Sequence, residues 1–401
     1  MARSGKIGRT ALAALLLAGA VGCADDDKGT NGGPVELKYI GAAKCQSCHE
    51  EEYAKWASSG HRYKLNKVTN GQQPVYPHGQ GLQLPAGKTW SDVTYVIGGY
   101  GWKARYLDKD GYIMTGDAVQ YNLPRADLGL PNGAMAAYEK ELPRKAYTCG
   151  ECHVTGWQTL AENGGLHQDS LAGIEGTWFE TGITCERCHG MGSQHEADPK
   201  KSNINITRTS DLCGECHFRD TNHGILASGS SPNQFIQHHE QYDEMISAGH
   251  RALLCTYCHD QHTGVYAAKY QPSKPAGIKV ECATCHAAEA SKNSHVVDVD
   301  CEDCHLARAG KSGRSVNIYK GDIRTHIFKI TTDPYPKDSM FYVSQTDGKV
   351  YARGFMTLDF ACYGCHKDAS GVGGSASQKT LAELSTRARG IHTASAALAN
   401  Q

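Results

Sequence analysis

Cys301-Glu302-Asp303-Cys304-His305 places two thiols and an imidazole within five positions, a pattern that alone fits a metal knot, a disulfide or a cofactor attachment. Recurrence decides. The same CxxCH pentad stands at Cys45-Gln-Ser-Cys48-His49, Cys149-Gly-Glu-Cys152-His153, Cys185-Glu-Arg-Cys188-His189 and Cys213-Gly-Glu-Cys216-His217. It returns at Cys255-Thr-Tyr-Cys258-His259, Cys282-Ala-Thr-Cys285-His286 and Cys362-Tyr-Gly-Cys365-His366. Eight pentads use sixteen of the seventeen cysteines, and only Cys23 stands outside them.

A structural zinc ion needs four converging ligands, and a CxxC disulfide suits an exported chain. Either leaves eight adjacent histidines without a role. Covalent haem uses every residue: the two thiols bond to the porphyrin vinyl groups and the following His binds iron as the proximal ligand. None of the pentads is CxxCK. The reading is eight haem c groups. Composition agrees, because only 40% of the 401 residues are in the hydrophobic class, seven are Phe and 45 are Gly, so side chains alone under-supply a core. Basic and acidic residues balance at 41 and 42, which gives no footprint for nucleic-acid binding. Eight haems would add roughly eight negative charges when oxidised and sixteen when reduced, making the holoprotein acidic.

Arg3, Lys6 and Arg9 precede the apolar run Ala11–Ala18, which is too short to span a bilayer and reads, over residues 1–22, as a secretory signal. Gly19-Ala-Val-Gly-Cys23 resembles a lipobox and makes Cys23 a candidate for lipidation; the alternative is an ordinary signal beside a free thiol. Residues 23–36 are a polar tether. The expected location is outside the cytoplasm, anchored by lipid at the outer membrane or cell surface. After the tether come a first haem segment (37–75), a haem-free β-containing insertion (76–145) and a seven-haem region (146–401).

Twenty histidines less eight proximal ones leave twelve for the distal side of iron, so bis-His coordination is affordable at every haem. Read as a helix, 239–250 sets His239, Tyr242, Ile246 and His250 on one face, with the two imidazoles about 16 Å apart and serving different haems. His392 ends the run Leu381, Leu384, Ala388 in the same way. His61 closes a short helix behind Tyr53 and Trp56, while His195 and His262 follow pentads closely. His295 precedes Cys301 by six positions, and His326 lies in the strand-like run Ile323–Ile330. These eight are the distal candidates. His78, His167, His223 and His238 read as solvated or hydrogen-bonded imidazoles.

In the insertion, Val93–Tyr106 is rich in β-formers and Asp108–Ile113 reads as a turn with a returning strand. Trp102, Lys103 and Arg105 fit a packed hairpin, with contact to substrate or haem propionates as the alternative. Later pentads are spaced by short helices and Gly/Pro loops, and the fifteen positions between His286 and Cys301 force neighbouring haems together. The expected fold is mostly α and irregular, with haems forming the core and one small β-element between the first two motifs.

The pentads, Trp56 with Ser-Gly-His61, the His189-to-His195 loop and the His259-to-His262 loop together resemble the multihaem c-type cytochromes of dissimilatory metal-reducing and related bacteria. That resemblance implies distal roles for His61, His195 and His262, and periplasmic or surface electron transfer with other redox proteins, often towards extracellular metal or other acceptors. Three functions follow as expectations. The first is a lipid-anchored octahaem carrier passing electrons one at a time between bis-His haems. The second is an octahaem oxidoreductase acting on a small nitrogen or sulfur compound at one open haem. The third is a subunit of a cytochrome filament.

Overall fold

The structure, a computed structural model, describes residues 36–79, 81–220, 223–265, 277–295 and 299–393. The signal segment, Cys23 and nearly all of the tether lie outside the described residues. Period-two alternation governs the stretch after the first pentad. Here β1 (Leu65–Lys67), β2 (Tyr95–Gly98), β3 (Lys103–Leu107), β4 (Gly116–Asn122) and β5 (Ala134–Tyr138) form an antiparallel meander in chain order. Successive side chains of β2 and β3 leave on opposite faces. Tyr95 and Leu107, opposite one another, pack with Leu65, Ile113, Tyr147, Val154, Ile174 and Trp178. Val96 and Tyr106, the next pair, pack with Val93, Ala104, Tyr121 and Leu123. Gly98 and Gly99 make the β2–β3 turn possible, since both have positive φ and a Cβ on Gly98 would stand 2.7 Å from the Lys103 carbonyl oxygen. Tyr147 and Val154 flank the second pentad, so this sheet is fastened directly to Cys149–His153.

The mostly helical expectation is corrected by the chain beyond the second pentad. β6 (Val154–Thr155) pairs with β9 (Glu180–Thr181), and β7 (Gln158–Thr159) with β8 (Gly176–Thr177). β10 (Ile225–Ser228), β11 (Phe235–Gln237), β12 (Gly310–Asn317), β13 (Lys320–Ile323), β14 (Phe341–Val343) and β15 (Val350–Ala352) form a six-stranded sheet in the order β13-β12-β11-β10-β15-β14. Only β11 and β12 run parallel. Its core gathers Ile225, Phe235, Ile236, Met340, Phe341, Met356 and Phe360. Several of these strands are three or four residues long, too short to show alternation in the sequence. The described α-helices span only four to eight residues and depend on packing, because isolated helices of that length do not persist. A pentad needs no more than one turn of helix, as Cys185–His189 and Cys301–His305 show.

Three local expectations change. The helix expected over 239–250 spans Gln241–Ile246, with His239 in left-handed backbone (φ 71°) and His250 beyond its end, so the two histidines do not share a helix face. His392 lies past Leu381–Ala388, and His61 past Glu50–Ala57. His326 follows β13 outside any strand. Among the described residues no helix is long and apolar enough to cross a membrane.

Asp322 of β13, 2% exposed, holds the two large sheets together. Its carboxylate accepts the backbone N–H groups of Ser312 (2.7 Å), Gly313 (2.9 Å) and Arg314 (2.9 Å), shaping the bulged part of β12. Its carbonyl accepts from Trp102 Nε1 (3.2 Å) and Arg125 Nη1 (3.0 Å) on the five-stranded side. Lys103 Nζ donates to the Ser312 carbonyl (2.7 Å) and Asn122 Nδ2 to that of Gly313 (3.0 Å) across the same seam. Trp102 and Lys103 are thus packed, as the hairpin reading has it. Asp322→Ala strands three N–H donors and should cost about 3 kcal/mol, with Asp322→Asn costing less, in denaturant unfolding of the holoprotein followed by circular dichroism.

Candidate functional site

Each pentad presents two thiols and one imidazole on a short turn, and all sixteen motif thiols are free of disulfides. Among the described residues no three Cys, His or carboxylate side chains converge as a structural zinc ion would require. The imidazoles fit iron instead. A metal bound about 2 Å from each of two ring nitrogens sets the ring centres roughly 6 Å apart. The structure brings seven proximal histidines to a second histidine at that spacing. His49 faces His195 (6.3 Å), His189 faces His262 (6.3 Å), His217 faces His61 (6.3 Å) and His259 faces His326 (6.0 Å). His286 faces His250 (5.9 Å), His305 faces His392 (6.1 Å) and His366 faces His295 (6.3 Å).

The outer ring nitrogens are oriented by the protein. Nδ1–H of His189 donates to the Asn205 carbonyl (2.8 Å), that of His305 to Phe328 (2.8 Å) and that of His366 to Ser377 (3.0 Å). On the distal side His195 donates to Lys200 (3.0 Å) and His392 to Glu289 (3.2 Å). Such bonds leave Nε2 unprotonated and pointing inward, the tautomer a metal needs. Desolvation pushes His61 and His326 down to about 3, which keeps both neutral at physiological pH.

His153 is the exception. No imidazole faces it at ligand spacing among the described residues. His239, the remaining distal candidate, instead packs against His238 (4.4 Å) and approaches His217 (5.9 Å), which His61 already faces. Desolvation, then the charges of Lys64, Arg105 and Arg219, push His153 down to about 3. The same groups, with Lys103, bear on His238, whose imidazole desolvation holds well below its ordinary range. Desolvation also pushes Lys103 down to about 7 and lowers Lys64. Arg105 is fixed by stacking on the Tyr138 ring (3.5 Å) and by donating Nε–H to Gln120 Oε1 (2.7 Å). The surroundings of His153 are therefore cationic. β3 delivers Arg105 to His153 and Lys103 to His238, and the end of β11 delivers His238 and His239, so both large sheets contribute. Lys64, Arg219 and His238 were not site candidates in the sequence; the doublet His238-His239 was the one local signal for them.

The thiols trace a connected path. Cys45 lies beside Cys185, Cys152 beside Cys216, and Cys213 beside Cys255. Cys188 lies within electrostatic reach of Cys216, Cys258 of Cys285, Cys282 of Cys301, and Cys304 of Cys362 and Cys365. The Cys213–His217 pentad accordingly adjoins three others, those of His153, His189 and His259. Arg187 knits the first of these contacts: Nη2 pairs with Glu215 Oε2 (2.8 Å) and approaches Cys216 Sγ (3.9 Å), while Nε donates to the Glu151 carbonyl (3.5 Å).

Pentads, imidazole spacing and fold together define a multihaem c-type cytochrome with covalently attached haem. The family model of cytochrome c554 and c-prime matches residues 44–84 and 131–190, which include the first three pentads. The dissimilatory sulfite reductase MccA of Wolinella succinogenes is 23% identical over 81% of this chain, which spans 61% of that protein's length. A solved structure of that organism's octaheme sulfite reductase MccA, form II, superposes with a TM-score of 0.57 at 18% identity, covering 89% of this chain and 68% of the other. The outer cell wall cytochrome OcwA is also similar, with a TM-score of 0.48 at 17% identity over 87% of this chain and 86% of its own.

Arg187→Ala should loosen the junction of the second, third and fourth pentads, raising amide exchange in 150–153 and 213–217 by about an order of magnitude in hydrogen–deuterium exchange while leaving the six-stranded sheet protected.

Proposed function

We propose that this chain is an exported octahaem oxidoreductase that reduces a small sulfur or nitrogen oxyanion at the site of Cys149, Cys152 and His153, with the seven other pentads linking that site to redox partners. One observation carries the reading: among the described residues His153 alone of the proximal imidazoles has no second imidazole facing it at ligand spacing, and cations gather there instead. The likeness to a protein named a dissimilatory sulfite reductase supports the same choice. Export and a lipid on Cys23 belong to this proposal through the amino-terminal sequence, and electrons would pass to or from other redox proteins outside the cytoplasm.

Bound haem iron supplies one-electron exchange and, where no second imidazole binds it, a position for a substrate atom. The chain's own residues supply the rest. Lys64, Arg105 and Arg219 offset the charge of an oxyanion in partly desolvated surroundings, where such interactions are stronger than in water. His238 and His239, held neutral, each present one N–H donor and one acceptor nitrogen. Glu151 and Cys216 stay tied by Arg187, which fixes the second pentad against the fourth. His61 is assigned to the iron of His217, and His239, which bears electrostatically on His153, to the substrate side of the His153 site.

Seven facing histidine pairs would serve a carrier that merely passes electrons equally well, so the two readings separate at His153. EPR of the oxidised holoprotein should show one high-spin ferric centre beside low-spin signals, and sulfite should perturb the high-spin component. A wholly low-spin spectrum favours the carrier. Lys64→Met and Arg219→Leu should each lower kcat/KM for sulfite reduction about a hundredfold with a reduced viologen as donor. His195→Ala, which takes away the imidazole facing His49, should add a second high-spin centre and leave turnover at the His153 site in place.

A further inference from the structure

The outer nitrogens of most proximal imidazoles that have a hydrogen-bond acceptor meet a backbone carbonyl, which no substitution alters. His217 differs, because its Nδ1–H donates to the side-chain Oε1 of Gln241 at 3.2 Å. Three further contacts hold Gln241 there. The Tyr242 N–H donates to the His217 carbonyl (3.0 Å), and Tyr242 Oη donates to Asp211 Oδ1 (2.6 Å) at the start of the same pentad's helix. The Tyr242 ring lies against Gly214, where a Cβ would come within 2.8 Å of it. The helix Gln241–Ile246 is thereby clamped to the Cys213–His217 turn, with the amide of its first residue against the imidazole.

This pentad is the junction of the thiol path. Its cysteines adjoin those of the His153 site, of the third pentad and of the fifth. Traffic between the His153 site and either arm of the path meets it first.

We propose that Gln241 is a positioning residue that sets the redox level of the junction haem by orienting His217 and fixing the basicity of its imidazole. Hydrogen bonding at Nδ1–H makes the ring a more electron-rich ligand, which favours oxidised iron; a stronger acceptor lowers the reduction potential and loss of the acceptor raises it. The importance of the junction rests on the oxidoreductase reading, whereas the effect on potential does not.

The test is a spectroelectrochemical titration of the full-length holoprotein with EPR readout, comparing wild type, Gln241→Glu and Gln241→Leu. The expected result is that one low-spin centre changes g-values and titrates lower in Gln241→Glu and higher in Gln241→Leu. Each shift should be about tenfold in the one-electron equilibrium, which corresponds to about 59 mV. No shift in either variant, or shifts of the same sign in both, overturns the proposal, given unchanged haem content and circular dichroism. Should Gln241→Leu fail to take up haem, the isosteric Gln241→Glu decides alone: a fall supports the proposal and constancy overturns it. A wild-type spectrum without a high-spin centre would defeat the oxidoreductase reading and leave this comparison readable, since it follows a low-spin centre.

Discussion

A metal gripped by two imidazoles dictates the separation of their ring centres, and most of this chain is arranged to meet that distance seven times. The requirement is severe because the partners are remote in sequence: His49 meets His195, and His305 meets His392. Loops, one-turn helices and short strands make sense as devices for returning the chain to a fixed gap. Apolar clusters are correspondingly small and several. Their role is to hold backbone segments at the margins of the attachment sites.

The five-stranded sheet packs its Tyr95 face against residues flanking the second pentad and sends Arg105 towards His153. In the six-stranded sheet, β11 leads directly into His238 and His239. Asp322 fixes the shape of β12, and β12 in turn receives Lys103 and Asn122. The electrostatics of the site are consequently a product of tertiary structure. None of its cations lies within the pentad it surrounds.

The attachment chemistry was legible because it is written in consecutive residues: two thiols and an imidazole in one turn need no knowledge of the fold. The distal histidines could be nominated but not paired, since pairing depends on how the loops close. His239 shows the limit. Helical spacing put it on a face with His250, whereas a left-handed backbone at His239 starts the helix only at Gln241 and turns the imidazole towards His238. The turn-rich region after the first pentad announced its strands through Tyr, Val and Ile runs, but β10, β11, β14 and β15 are too brief to produce a period. The cationic surroundings of His153 were legible only in part: Arg105 stood in the sequence as an alternative contact to substrate or propionates, whereas Lys64 and Arg219 come from separate segments and follow no local pattern.

The seam at Asp322 bears on how the molecule can be divided. A fragment carrying only the first four pentads would keep the attachment site of His153 but lose β12, and with it the carbonyl that anchors Lys103 and the strand order that places β11. Such a fragment would still be a template for covalent haem, yet its second centre would sit in a differently charged and wetter setting. Modular shortening, natural to a string of repeated five-residue motifs, is thus closed to this protein at the very place where its chemistry is concentrated.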